Sequence, residues 1–287
     1  MTANLTTLGS GFSLNLWNDL VSMWHYGFMQ HAFEAGTIVA VIAGMIGYFV
    51  VIRRLSFAAH ALSHAGFSGA AGAVLLGLNP LVGLLAFTTA GGLAMASLGR
   101  RAANRDVQIG TVLAFMLGLG VLFISLYKGY ATEAYSLLFG EILGISSTNI
   151  VLTMAAGLVS LLGVLLLYRR LLFTSLDEDV AEAKGISITG INVAFLLLVA
   201  LATSIAVQIV GVLLIFALMV TPAAIAQRLT HRPLEGVAVS VLIALLATWI
   251  GLFVAFYVPY PVSFFIVSSV FLLYLIVRLL QSRSSRA

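Results

Sequence analysis

The chain contains no cysteine. Disulfides and thiolate ligands are therefore excluded, and a metal must be held by imidazole, carboxylate, carbonyl or water. Charge is also scarce. Asp, Glu, Lys and Arg make up 8% of the residues against 61% hydrophobic, more apolar surface than a soluble domain can bury. No Gly-x-x-x-x-Gly-Lys-Ser/Thr phosphate loop occurs, and a chain filled with apolar spans has no room for a nucleotide-binding domain. If ATP drives this protein, another chain hydrolyses it. Two further motifs are missing, the nucleophile elbow and the intramembrane His-Glu-x-x-His: Ala61 follows His60, where a zinc protease needs its glutamate base. The net charge of +4 comes from short basic clusters between apolar runs. It describes orientation in a bilayer and not a nucleic-acid partner.

What is present is a series of apolar runs of about 20 residues, the length that crosses a bilayer as a helix. The runs show no period-2 alternation, so an all-α polytopic transmembrane bundle is expected, not a barrel. Runs bounded by charge, Gly or Pro predict spans at Phe33 to Ile52, Leu55 to Leu78, Leu81 to Gly99, Val107 to Tyr127 and Thr148 to Tyr168. Further spans follow at Ile188 to Gln208, Val210 to Leu229, Leu234 to Tyr257 and Val262 to Leu280. That gives about nine crossings, within a range of about eight to ten. The transmembrane domain is expected over 33–281, preceded by an external amphipathic segment over 1–32 with Trp17 and Trp24 at headgroup level, and followed by a cytoplasmic tail over 282–287. The segment Ala131 to Leu143 is too short to span and predicts a partial helix.

With Arg53-Arg54 in the cytoplasm, Arg100, Arg101, Arg105, Arg169, Arg170, Lys184, Arg228, Arg232, Arg278, Arg283 and Arg286 fall on the same side, and Lys128 stays outside. The N-terminus is then external and the C-terminus cytoplasmic. Glycines such as Gly66, Gly69 and Gly72 let helix backbones approach where lipid offers no hydrophobic drive to association. Asn79-Pro80 and Pro259-Tyr260-Pro261 predict tight external turns.

Most informative is the pair His60 and His64, four residues apart among Ala, Ser and Gly. On a helix both project from one face and can share a transition-metal ion through neutral imidazole nitrogens. The alternative is that both hydrogen-bond across helices. Two ligands do not close a site, so water, a second copy or another helix must complete it.

Glu141, on the outer side, is a candidate for attracting a cation to the mouth of a path, or a solvated interfacial carboxylate. Asp106 starts a helix on the cytoplasmic side, where a carboxylate meets the positive helix end. Asp19, Glu34, His25 and His31 belong to the outer N-terminal region, either steering cations or simply solvated. Thr221-Pro222 is expected to loosen a helix end. The polar segment Thr174 to Ile186 predicts a short cytoplasmic helix with Ser175 as N-cap, acidic residues in its first turn and Gly185 after its last. A helix that short needs a surface to lie on, on a partner or on this chain.

Three segments together resemble the membrane subunit of zinc and manganese ABC importers, the metal-type ABC-3 permeases. They are Arg53 to Gly66 with its two histidines, the 174–186 helix, and Leu218-Met219-Val220-Thr221-Pro222-Ala223-Ala224. The likeness runs from about Phe28 to Leu280 in the same order. It implies a type II importer-like permease in the inner membrane, acting as a homodimer with two cytoplasmic ATPases that bind ATP and an external metal-binding protein that delivers the ion. The permease itself is no enzyme and needs no cofactor of its own. His64 matches the family's histidine on the translocation path. The 174–186 segment resembles the helix that docks into an ATPase cleft, through Ser175, Leu176, Asp177, Glu178, Val180, Ala181 and Gly185. One departure is His60, a position commonly aspartate in relatives. An imidazole in place of an oxygen ligand favours zinc over manganese, so zinc is the expected cargo and manganese the alternative. Rival expectations are a proton-coupled carrier of the same ion, a permease for cobalamin or siderophores, and a membrane enzyme with a histidine-bound metal.

Overall fold

The structure is a computed structural model, and it describes residues 23–98, 105–127 and 140–284. Trp17, Asp19, Arg100, Arg101, Lys128, Arg286 and most of the Ala131 to Leu143 segment, all used in the sequence reading, lie outside the described residues. Among the described residues every regular element is helical: α1 Gly27–Ile52, α2 Ser56–Leu75, α3 Pro80–Leu98, α4 Arg105–Leu126, α5 Ser147–Leu176, α6 Glu178–Ala183, α7 Ile188–Leu229, α8 Pro233–Tyr257 and α9 Val262–Ser284. Seven of these, all but α2 and α6, are long and apolar enough to cross a membrane.

Boundaries differ from the sequence reading where polarity and helicity part company. The first helix starts at Gly27 and not Phe33, because Gln30 and His31 interrupt an apolar run without interrupting a helix. Likewise α5 continues past Tyr168 to Leu176. Arg169 and Arg170 end the apolar stretch, yet arginine and leucine are good helix formers.

At the centre lie α1 and α7, each about two-thirds buried along its most apolar window. Around them α4, α5 and α9 are mostly exposed, with large apolar residues such as Phe115, Leu166 and Phe264 facing outward. That inverted polarity fits lipid as the solvent. Close approach is achieved by glycine: a Cβ on Gly69 of α2 would collide with the Gly83 carbonyl of α3, and a Cβ on Gly83 with the Gly69 carbonyl.

A straight helix of 42 residues would be about 63 Å long, twice the hydrocarbon thickness. Instead α7 doubles back. Its non-helical residue is Gly211, with φ 81° and ψ 163°, a conformation open essentially to glycine. Both limbs meet the same stretch of α1: Phe195 packs edge-on against Phe49 with centroids 6.4 Å apart, and Met219 lies against Gly47. Thr221-Pro222, read as the loosened helix end, sits inside the second limb. The reversal belongs to Gly211.

Contacts also gather the basic residues at one end of the bundle. Arg53 reaches the last turn of α5 and the first of α7. Tyr48 packs on Gly236 at the start of α8, and Arg228 meets Tyr274 and Gln281 of α9. The turn at Asn79, capping α3 by accepting the Leu81 N–H at 2.9 Å, lies at the other end of α2.

Candidate metal site on the second helix

Small residues make α2 a thin rod that its neighbours almost enclose. Between Phe57 and Ala73, only Phe57, His60 and His64 escape burial. At i, i+3 and i+7 they form one stripe. The serines beside them satisfy their hydroxyls within the helix: Ser63 donates to the Ala59 carbonyl at 3.0 Å and Ser68 to that of His64 at 3.2 Å. The polar groups left on the open stripe are the two rings.

Those rings stand edge to face, with centroids 4.6 Å apart and planes at 83°. Two imidazoles on one ion, with metal–nitrogen bonds of about 2.0–2.2 Å and an angle of about 90–110°, place their centroids about 4.4–5.2 Å apart. The centroid separation of the pair falls within that range. Nδ1 of His60 is buried and has no hydrogen-bond partner. A buried unsatisfied nitrogen is costly unless something binds it. Phe216, from the second limb of α7, packs on the His60 ring at 4.7 Å and so closes one flank of the pair.

Glu141 does not join them. Among the described residues no group of three or more His, Asp or Glu is arranged to hold a metal, and the pair on α2 brings two imidazole donors. Glu141 is exposed and follows Gly140, which has φ 76° and packs so closely on Val210 and Gly211 that a Cβ would strike the backbone there. Sequence reasoning missed this junction. The two glycines gave a signal, but pairing residues so far apart needs the fold. Of the candidates near the N-terminus, His31 holds the Ile145 carbonyl through Nδ1 at 3.3 Å, and Glu34 borders an apolar cavity of about 580 Å³ beside Trp24 and Trp249.

The segment 174–186 is arranged differently from the expectation. Ser175 is not the N-cap: it remains in α5, with its hydroxyl donated to the Leu171 carbonyl. Asp177 ends α5 and starts α6, its side chain accepting the Val180 N–H at 3.0 Å. Aspartate outcompetes serine here because its carboxylate also meets the positive end of the new helix. The six-residue α6 stops in a Schellman turn, with Ile186 N–H on the Ala181 carbonyl and Gly185 N–H on that of Glu182. Gly185, at φ 78°, follows its C-cap. Ala181 faces inward, fully buried, while Leu176 and Val180 are 72% and 44% exposed. Two apolar side chains are thus presented outward around the α5–α6 junction, Leu176 from the end of α5 and Val180 from α6.

A sequence model described as the ABC 3 transport family matches residues 25–281. A manganese transport system membrane protein, MntC, of Listeria innocua is 30% identical over 83% of this chain and 85% of its own length. The MntC of Halalkalibacterium halodurans is 32% identical over 72% and 71%. Among solved structures, PsaBC from Streptococcus pneumoniae in complex with Fab superposes with a TM-score of 0.81 at 28% identity, covering 91% of this chain and 95% of that one.

Proposed function

The chain belongs to the ABC 3 transport family, and from that premise we propose that it is the permease subunit of an ATP-driven importer of a divalent transition metal, most directly Mn²⁺. The observation that carries the reading is the pair of imidazoles 4.6 Å apart on the one accessible stripe of α2. Relatives along most of the chain are named manganese transport proteins, which favours manganese over the zinc expected from sequence. Zinc stays as a second reading for one reason: both donors are imidazole nitrogens, which suit Zn²⁺ better than Mn²⁺.

In this proposal two copies assemble with two ATPase chains, and an external protein delivers the ion. Counting α2 and the second limb of α7 beside the seven long apolar helices, the chain crosses about nine times. The odd number puts the two termini on opposite sides, and with the basic end of the bundle cytoplasmic the N-terminus is outside and the C-terminus in the cytoplasm of an inner membrane. ATP closes the ATPase pair, which moves α6 through Leu176 and Val180 and changes the side from which the histidines are reached. His60 and His64 hold the ion transiently, and their open coordination positions let it leave. Glu141 acts earlier, as an exposed carboxylate that attracts cations on the outer side.

The test is uptake by vesicles carrying the permease with its ATPase, using Mn²⁺ and Zn²⁺ separately. Wild type is expected to accumulate Mn²⁺ in an ATP-dependent way. His64→Ala is expected to abolish uptake while complex yield and basal ATP hydrolysis persist, and unaltered uptake in that variant refutes the ligand role. Zn²⁺ transport in preference to Mn²⁺ would replace the first reading by the second. Ion accumulation without ATP would point to a proton-coupled carrier.

A further inference from the structure

Arg53 sits in the turn between α1 and α2, yet it is only 8% exposed. The chain reverses at Arg54, whose left-handed backbone has φ 56°, and Leu55 N–H bonds across the turn to the Val50 carbonyl at 2.8 Å. Arg54 is thereby turned outward and Arg53 inward. Nη1 of Arg53 donates to Thr174 Oγ1 at 2.6 Å, to the Leu171 carbonyl at 3.2 Å and to Ser175 Oγ at 3.4 Å. Nη2 donates to Asn192 Oδ1, and the guanidinium lies 5.7 Å from the centre of the Phe195 ring.

One side chain thus joins three elements. Thr174 and Ser175 belong to the last turn of α5, directly before Asp177, the N-cap of α6. Asn192 is in the opening turns of α7, and α6 leans on α5 and α7. On the other side, Arg53 lies three residues before Ser56, the first residue of α2, and only about 6 Å of helix separates Ser56 from His60. We propose that Arg53 is the positioning residue through which displacement of α6 reaches the histidine pair. Among the described residues α5 and α2 do not pack extensively on one another, while α7 packs on both, so a movement of the α5 end reaches α2 through this turn and through α7, and Arg53 grips the two elements at the start of both routes. Charge-assisted hydrogen bonds in a buried setting make a stiff link, and the planar fork of arginine grips α5 and α7 at once, as a lysine ammonium does not.

This inference rests on the proposed transport function, and one measurement separates the two. In proteoliposomes holding the complete permease–ATPase complex, ions moved per ATP hydrolysed are counted with Mn²⁺ as the probe. Arg53→Gln is expected to keep basal hydrolysis within about twofold of wild type and to lower ions per ATP by about tenfold. Arg53→Lys is expected not to restore the ratio. A merely structural role would reduce complex yield, hydrolysis and uptake together at an unchanged ratio, and that result overturns the proposal. Should Arg53→Gln fail to assemble, Thr174→Val and Asn192→Leu decide: each is expected to lower the ratio several-fold, and a wild-type ratio in both is equally fatal. A wild-type complex that moves neither Mn²⁺ nor Zn²⁺ with ATP sinks the function on which the inference stands. Normal wild-type transport with a normal Arg53→Gln ratio sinks the Arg53 role alone.

Discussion

Single residues decide what α2 can hold and how tightly it can pack. His60 and His64 meet because a four-residue step on a helix is one turn, and that much was legible in the sequence. Their edge-to-face approach and the Phe216 flank were not, because Phe216 reaches them only through the fold-back of α7. If donor chemistry sets preference among ions, replacing one imidazole by a carboxylate should move it toward the harder cation. His60→Asp is therefore expected to raise the Mn²⁺:Zn²⁺ uptake ratio several-fold, measured by competition between the two ions; an unchanged ratio would assign selectivity elsewhere. Packing is equally local. Gly69 and Gly83 abut through their backbones, so Gly69→Ala must push α2 from α3. The expected loss is about 1–3 kcal/mol, read as a lower unfolding temperature in detergent, with Gly118→Ala, where a Cβ meets nothing within 4 Å, as the neutral control.

Elements obey rules that sequence displays only in part. Gly185 marked the end of the short helix correctly because a left-handed C′ position is a strong demand on residue type. Ser175 misled because α5 outlasts its apolar run, and capping preference cannot say where a preceding helix stops. The length of α6 follows: six residues have almost no stability of their own, so its caps and its buried Ala181 hold it. Asp177→Ala removes the side-chain cap and is expected to cost about 1 kcal/mol. If α6 is the surface an ATPase grips, that loss should appear as roughly fivefold weaker association of the purified ATPase with the permease. Glu182→Ala, at an exposed position that makes no cap, should bind normally. Equal affinity for Asp177→Ala and wild type would show that α6 is not what the ATPase reads.

At the scale of the whole molecule, the fold was legible because its solvent is: 61% hydrophobic residues in a chain with 8% charge leave helices in lipid as the physical solution. The site of the chain reversal within α7 was not, since only the backbone at Gly211 reveals which of many glycines bends. That reversal has a consequence for topology. It brings the end of α7 back to the level of Arg53, so that His231 and Arg232 share an end with Arg53, Arg169 and Arg170, while the α2–α3 turn lies at the opposite end. Basic residues collected at one end should lie in the cytoplasm, and a chain without cysteine permits a clean test by single substitutions at exposed sites. Leu78→Cys, in the α2–α3 turn, is expected to react with a membrane-impermeant maleimide in intact cells. His231→Cys, between α7 and α8, should react only after permeabilisation. Were α7 one continuous crossing, the two ends of that helix would lie on opposite faces of the membrane. Lys184→Cys, in the exposed turn after α6, and His231→Cys would then label from opposite sides; the fold-back requires the same side for both.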